Sequence, residues 1–197
     1  MTNNVDNYFK QAGSGTNNEL VINGTVTSEN NVGTVATGST VVHTGDGTNM
    51  RATITVDTTL PAIAGGANLA VGKLLYTLPA GANLIKNAYM SLAITQTDGN
   101  IDADTPDVGI GTVIASGVVA TLDGTATFEN IVTGQTAADC DGTATVKTTA
   151  PTAGTALAIE TGDAHTIHAN VADGWAASGD AAALLTGTVI IDYTFAA

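Results

Sequence analysis

Leu185-Thr186-Gly187-Thr188-Val189-Ile190-Ile191-Asp192-Tyr193-Thr194-Phe195 is written in a two-residue period. Leu185, Val189, Ile191, Tyr193 and Phe195 fall on one side. Thr186, Thr188, Asp192 and Thr194 fall on the other, with Ile190 the apolar exception. Successive side chains of a strand point to opposite faces, so this alternation predicts a half-buried sheet. The same period sets Ala52, Ile54 and Val56 against Arg51, Thr53, Thr55 and Asp57. It also groups Ala88, Met90, Leu92 and Ile94, and groups Val108, Ile110 and Ile114.

Working outward, the pattern predicts about eight strands, near residues 51–57, 72–78, 84–97, 107–115, 125–133, 143–148, 164–171 and 184–195. Turn chemistry separates them: Leu78-Pro79-Ala80-Gly81, Thr97-Asp98-Gly99-Asn100, Leu122-Asp123-Gly124 and Cys140-Asp141-Gly142. Helical periodicity is nearly absent, the best candidates being one or two turns around Val5–Gln11 and Ala176–Leu185. No strand–helix–strand alternation points to a parallel sheet. The expected fold is all-β, a jelly-roll-like antiparallel β-sandwich over residues 51–197. Residues 1–50 read differently, rich in Asn and Gly-Thr pairs with short apolar runs at Leu20–Val26 and Ser39–His43. They are expected to form an extended N-terminal arm that orders against neighbouring subunits.

Composition narrows the function. Of 197 residues, 12% are charged, against the roughly 25% usual for soluble domains. Thr, Asn and Gly supply much of the polar surface instead. Five Lys and Arg against eighteen Asp and Glu leave a formal charge of −13. Nucleic acid and anionic membranes, which recruit clustered cations, are therefore not expected as partners. No stretch approaches the ~20 apolar residues of a membrane span, and the start Met1-Thr2-Asn3-Asn4 lacks the pattern of a signal peptide. One Trp, three Phe and four Tyr make a lean core, which favours assembly into a cyclic oligomer.

The candidate chemical sites are weak. His165 and His168 stand three apart in a strand pattern, so they fall on opposite faces and do not suit one metal ion. His165 is expected half-buried and satisfied, His168 solvated, and His43 isolated in the arm. Asp102, Asp104 and Asp107 resemble the start of a calcium loop but lack the later Gly and the bidentate Glu. Cys140 lies between Asp139 and Asp141, which disfavours a thiolate. Ser116 lacks the nucleophile-elbow glycine before it. Gly109-Ile110-Gly111 is half of a dinucleotide fingerprint, inside a strand. The reading is of a non-enzymatic protein with no cofactor, no metal and no catalytic set. Trp175, alone in a small-residue loop, either plugs the core or anchors a partner. Together with Leu20, Val21 and Ile22, and with Val41 and Val42, it makes up the expected interface set.

Several segments resemble virion structural proteins of tailed bacteriophages, especially marine ones. They are Leu74-Leu75-Tyr76-Thr77-Leu78-Pro79-Ala80-Gly81 with Asn87-Ala88-Tyr89-Met90, Thr105-Pro106-Asp107-Val108-Gly109-Ile110-Gly111-Thr112, and His168-Ala169-Asn170-Val171-Ala172-Asp173-Gly174-Trp175. Size, acidity and a lone β domain look most like a capsid decoration (cement) protein. That resemblance covers roughly residues 70–195. It implies a jelly-roll-like domain that forms a homotrimer on the outer surface of an icosahedral head and binds the major capsid protein across capsomers. It also implies synthesis in the host cytoplasm and no active site. The competing expectation is a carbohydrate-binding or adhesive β-sandwich of a phage tail, fibre or cell surface, for which exposed aromatics are few.

Overall fold

The computed structural model describes residues 32–62, 69–96, 106–118, 122, 126–136, 143–148, 157–172 and 183–196. In chain order the strands are β1 (Thr34–Val35), β2 (Ser39–Gly45), β3 (Asn49–Thr59), β4 (Val71–Thr77), β5 (Ala82–Gln96), β6 (Asp107–Gly111), β7 (Val132–Thr136), β8 (Thr143–Thr148), β9 (Leu157–Ile159), β10 (Thr166–Ala172) and β11 (Ala183–Ala196). One sheet runs β1-β4-β10-β6-β7. The other runs β2-β3-β11-β5-β8, with β9 also on the outer edge of β5. Every strand pairing among the described residues is antiparallel.

With β1, β2 and β9 set aside, the orders β3-β11-β5-β8 and β4-β10-β6-β7 remain. The chain passes from one sheet to the other at nearly every step and returns its last strand to lie beside its first. This is the double Greek key of a jelly roll. The two-residue period explains most of the core between the sheets: Ala52, Ile54 and Val56 of β3 meet Val108 and Ile110 of β6 and Ile167, Ala169 and Val171 of β10, and a bulge in the β4–β10 pairing at Leu75 brings the consecutive Leu75 and Tyr76 in as well. From β5 and β11 come Ala88, Met90, Leu92, Ile94, Leu185, Val189, Ile191 and Tyr193, as the alternation predicts. At roughly 25 cal/mol per Å² of apolar area, this inter-sheet layer is the dominant stabilising contact.

Four expectations need correction. The arm does not extend to residue 50: β1 pairs β4, β2 pairs β3, and Asn49 already opens β3. Tyr76, fully buried, holds this segment through its hydroxyl, which accepts from the Gly33 N–H at 2.6 Å and bonds His43 Nε2 at 2.9 Å. His43 is thus not isolated. The strand expected over 107–115 stops at Gly111, and Ile114 is exposed rather than in the core. The strand expected over 125–133 is a single 3-10 turn at Ala126–Phe128 followed by β7. Ala183–Leu185, the end of the stretch considered for a helical turn, opens β11, as the strand expected over 184–195 has it, and 176–182 lie outside the described residues.

The corrections over 107–115 and 125–133 share a cause on the outer side of the β4-β10-β6 sheet. Residues 112–118 and 126–128 lie on it and help to bury a second small apolar group: Ala70, Ala115, Leu122, Phe128 and Ala172, while Ile131 has already returned to the inter-sheet core. Fully buried Asn170 pins them. Its Oδ1 accepts from the Ala115 N–H, and its Nδ2 donates to the carbonyls of Val113 and Phe128. Asn170 is in register with Gly72 and Gly109 on the flanking strands. A Cβ at Gly72 would lie 2.2 Å from Asn170 Oδ1, and one at Gly111 would lie 2.3 Å from the Phe128 carbonyl. The Gly109-Ile110-Gly111 motif therefore lets a backbone rest against the sheet.

Candidate functional site

The outer face of the β2-β3-β11-β5 sheet is open among the described residues, and register builds its rows. Thr40, Thr55, Thr188 and Ser91 align across the four strands, as do Val42, Thr53, Ile190 and Tyr89. The next row is Thr44, Arg51, Asp192 and Asn87. Neighbouring strands lie about 4.8 Å apart, so each row spans about 14 Å.

At the last row the sheet opens into a cleft of about 390 Å³. It is lined by Thr44, Gly45, Asn49, Met50, Arg51, Lys86, Asn87, Asp192 and Tyr193. A β-bulge shapes it. Asp192 pairs with Asn87, whereas Tyr193 pairs with Ile85, so Lys86 is the extra residue on β5. Ile85 and Ala88 stay in the core while Lys86 and Asn87, consecutive in sequence, both face solvent. A bulge re-aims a side chain in this way.

Local turn chemistry positions the other members. In the β2–β3 turn, Asp46 Oδ1 accepts from the backbone N–H groups of Thr48 and Asn49, and Oδ2 accepts from Asn49 Nδ2. The Asn49 N–H, then the Thr48 N–H, hold the Asp46 carboxyl below its usual range. Asn49 Oδ1 then accepts from Lys86 Nζ at 2.6 Å and from the Thr194 hydroxyl at 3.1 Å. Arg51 donates Nε and Nη2 to the two oxygens of Asp192 at 2.6 and 2.8 Å, a bidentate pair. That carboxylate raises the Arg51 guanidinium further above its normal value. Met50 and Tyr193 adjoin the cleft, but their side chains are buried in the inter-sheet core.

The expected interface residues are not brought together by the described structure. Leu20, Val21, Ile22 and Trp175 lie outside the described residues. Val41 packs half-buried against the core, and Val42 stands 59% exposed on β2, which among the described residues pairs only with β3. Asp107 begins β6, half-buried, while Asp102, Asp104 and Cys140 lie outside the described residues. His165 is half-buried as expected, its Nε2–H donating to the Gly81 carbonyl at 2.6 Å. His168 does face away from the inter-sheet core, but it is only 7% exposed rather than solvated. The segment over Asn170 covers that face, and burial lowers the His168 pKa.

The cleft was not foreseen, although the sequence carries its signal. Strict alternation from Ala88 backwards would place Lys86 inside, and the polar pair Lys86-Asn87 breaks the period where the bulge occurs. No family model matches the chain, and no curated protein matches it by sequence.

Proposed function

We propose that this is a non-enzymatic virion structural protein, a capsid decoration (cement) protein that binds the outer face of an icosahedral phage head and stabilises contacts between capsomers. The observation that carries the reading is the strand order. An eight-strand double Greek key is an architecture used by viral capsid domains, and this support is analogy at the level of fold. The segments quoted above for their resemblance to phage virion proteins lie largely within this sandwich. Its partner in this reading is the major capsid protein, and its own assembly is a homotrimer. The β2 edge, with exposed Val42 and neither Lys nor Pro along Ser39–Gly45, offers backbone groups for strand addition.

The test is quantitative mass spectrometry of gradient-purified particles, with light scattering of the isolated chain. The reading expects a fixed ratio to the major capsid protein that survives repeated banding. Loss of the chain from intact particles on banding contradicts it.

A further inference from the structure

We infer that the free edge of β2 pairs with β2 of a second copy, antiparallel and about a two-fold axis at Val42, which joins the two β2-β3-β11-β5-β8 sheets into one. The inference stands apart from the virion reading; a two-fold contact adds to the trimer proposed there, linking one trimer to the next. Its first ground is the state of the sheet edges. An edge strand invites another chain unless shortness, a charge, a proline or a bulge blunts it. Among the described strands, β1 and β9 have two and three residues, β8 carries Lys147, and β7 pairs with β6 through a register shift. β2 has none of these devices. It runs seven residues from Ser39 to Gly45 without Lys, Arg, Asp, Glu or Pro, and its register with β3 is unbroken. In a chain with net charge −13, this neutral stretch lets two copies meet without opposed carboxylates.

The second ground is the phase of the hydrogen bonds. The Asp57 N–H donates to the Gly38 carbonyl at 2.9 Å, and the Asp46 N–H donates to the Asn49 carbonyl at 3.2 Å. Hydrogen-bonded pairs alternate along an antiparallel ladder, so the backbone groups of Thr40, Val42 and Thr44 are spent on β3. Those of Val41 and His43 point the other way, to the open edge. Neither residue makes a further backbone hydrogen bond among the described residues. Ser39 ends the free run, because its N–H turns to the Ala36 carbonyl at 3.2 Å.

The third ground is the order of the side chains, which selects a second copy over a foreign strand. On its outward face β2 reads Thr40, Val42, Thr44, the same in both directions. Antiparallel pairing about Val42 therefore sets Val42 against its own mate and each Thr against a Thr. Matched cross-strand pairs of this kind stabilise a sheet. In the same register Val41 lies opposite His43 of the second copy. The free N–H and C=O groups of the two exchange bonds, and the symmetry repeats the exchange on the other side of the axis. Exposed Val42 is covered at the centre. The ladder is short, so the contact is weak in dilute solution and gains from any assembly that already holds copies close together.

The experiment is sedimentation equilibrium of the full-length chain up to about 1 mM, in about 0.5 M NaCl, where screening limits charge repulsion to a few Å. Self-association is expected there. Val42→Lys sets two ammonium groups face to face across the axis and should weaken it roughly tenfold, although the variant lowers the net negative charge of the chain. Thr55→Lys makes the same change of charge at an exposed position of β3 and should not weaken it. Disulfide formation reads the register, with Cys140→Ser as the background. A non-hydrogen-bonded pair holds its Cα atoms about 4.5 Å apart, within disulfide reach, so Val42→Cys should crosslink two copies on oxidation. Thr55→Cys lies at least three strand spacings, about 14 Å, from its mate and should not. A chain that stays unassociated at the highest concentration overturns the inference, as does an association that Val42→Lys leaves unchanged. Failure of Val42→Cys to crosslink, as when another strand fills the edge, or equal crosslinking by Thr55→Cys, overturns it too.

Discussion

Asn170 shows how much one buried polar side chain can organise. It satisfies one N–H and two carbonyls of a segment that has no strand of its own to lie in. Asn170→Ala would leave those groups buried without partners, at a cost of about 3 kcal/mol. Urea unfolding should show this as a lower midpoint, and an unchanged midpoint would mean that water replaces the side chain. The histidines add a pH dependence. Burial lowers the pKa of both His43 and His168 from 6.5, and His168 Nδ1 has no hydrogen-bond partner among the described residues. The unfolded chain therefore binds these protons first as pH falls. Their contribution to stability is complete above about pH 7 and is lost as pH drops below about 6.5 through the lower folded values. Unfolding free energy measured between about pH 7.5 and about pH 5 should decline, and His168→Gln should flatten part of that slope.

Strands were legible in the sequence wherever one face meets the core and the other meets solvent. In β3 and β11 the inward residues are Ala52, Ile54, Val56, Leu185, Val189, Ile191 and Tyr193, as the two-residue period requires. The register gives a sharp test at the element scale. Val189→Asp buries an unpaired charge and should destabilise by several kcal/mol, whereas Thr188→Asp, on the outward face, should cost about 1 kcal/mol. Equal effects in chemical denaturation would contradict the register. Legibility failed where a period is broken or a second layer is added. The Lys86 bulge shifts the phase of β5 by one residue, and a local alternation rule does not carry a phase shift. The cover over His168 and Asn170 has no period at all, because Asn170 and small residues hold it rather than a strand ladder. Residues 32–50 looked too poor in large apolar groups to fold, yet β2 hydrogen-bonds to β3 and needs only Val41 as an apolar contact. The cleft was hidden for a further reason: its members come from four strands and meet only through pairing across the sheet.

At the scale of the whole molecule, the two faces of the sandwich differ. A pinned segment covers part of the β4-β10-β6 sheet, while the β2-β3-β11-β5 sheet presents rows of Thr and Ser, a polar cleft and, among the described residues, an edge at β2. A molecule with charge −13 repels its own copies at low salt, so self-association should strengthen as salt screens that repulsion. Sedimentation or light scattering across a salt series would check this, with the opposite trend marking contacts made by ion pairs. The central claim is decoration of a phage head, and cryo-electron microscopy of purified particles tests it most directly. The account predicts jelly-roll density on the outer surface of the shell, at symmetry-related positions between capsomers, into which the β3-β11-β5-β8 and β4-β10-β6-β7 sheets fit. A reconstruction that shows a bare outer shell on particles isolated with the protein present, or that places this density in the tail, would contradict it.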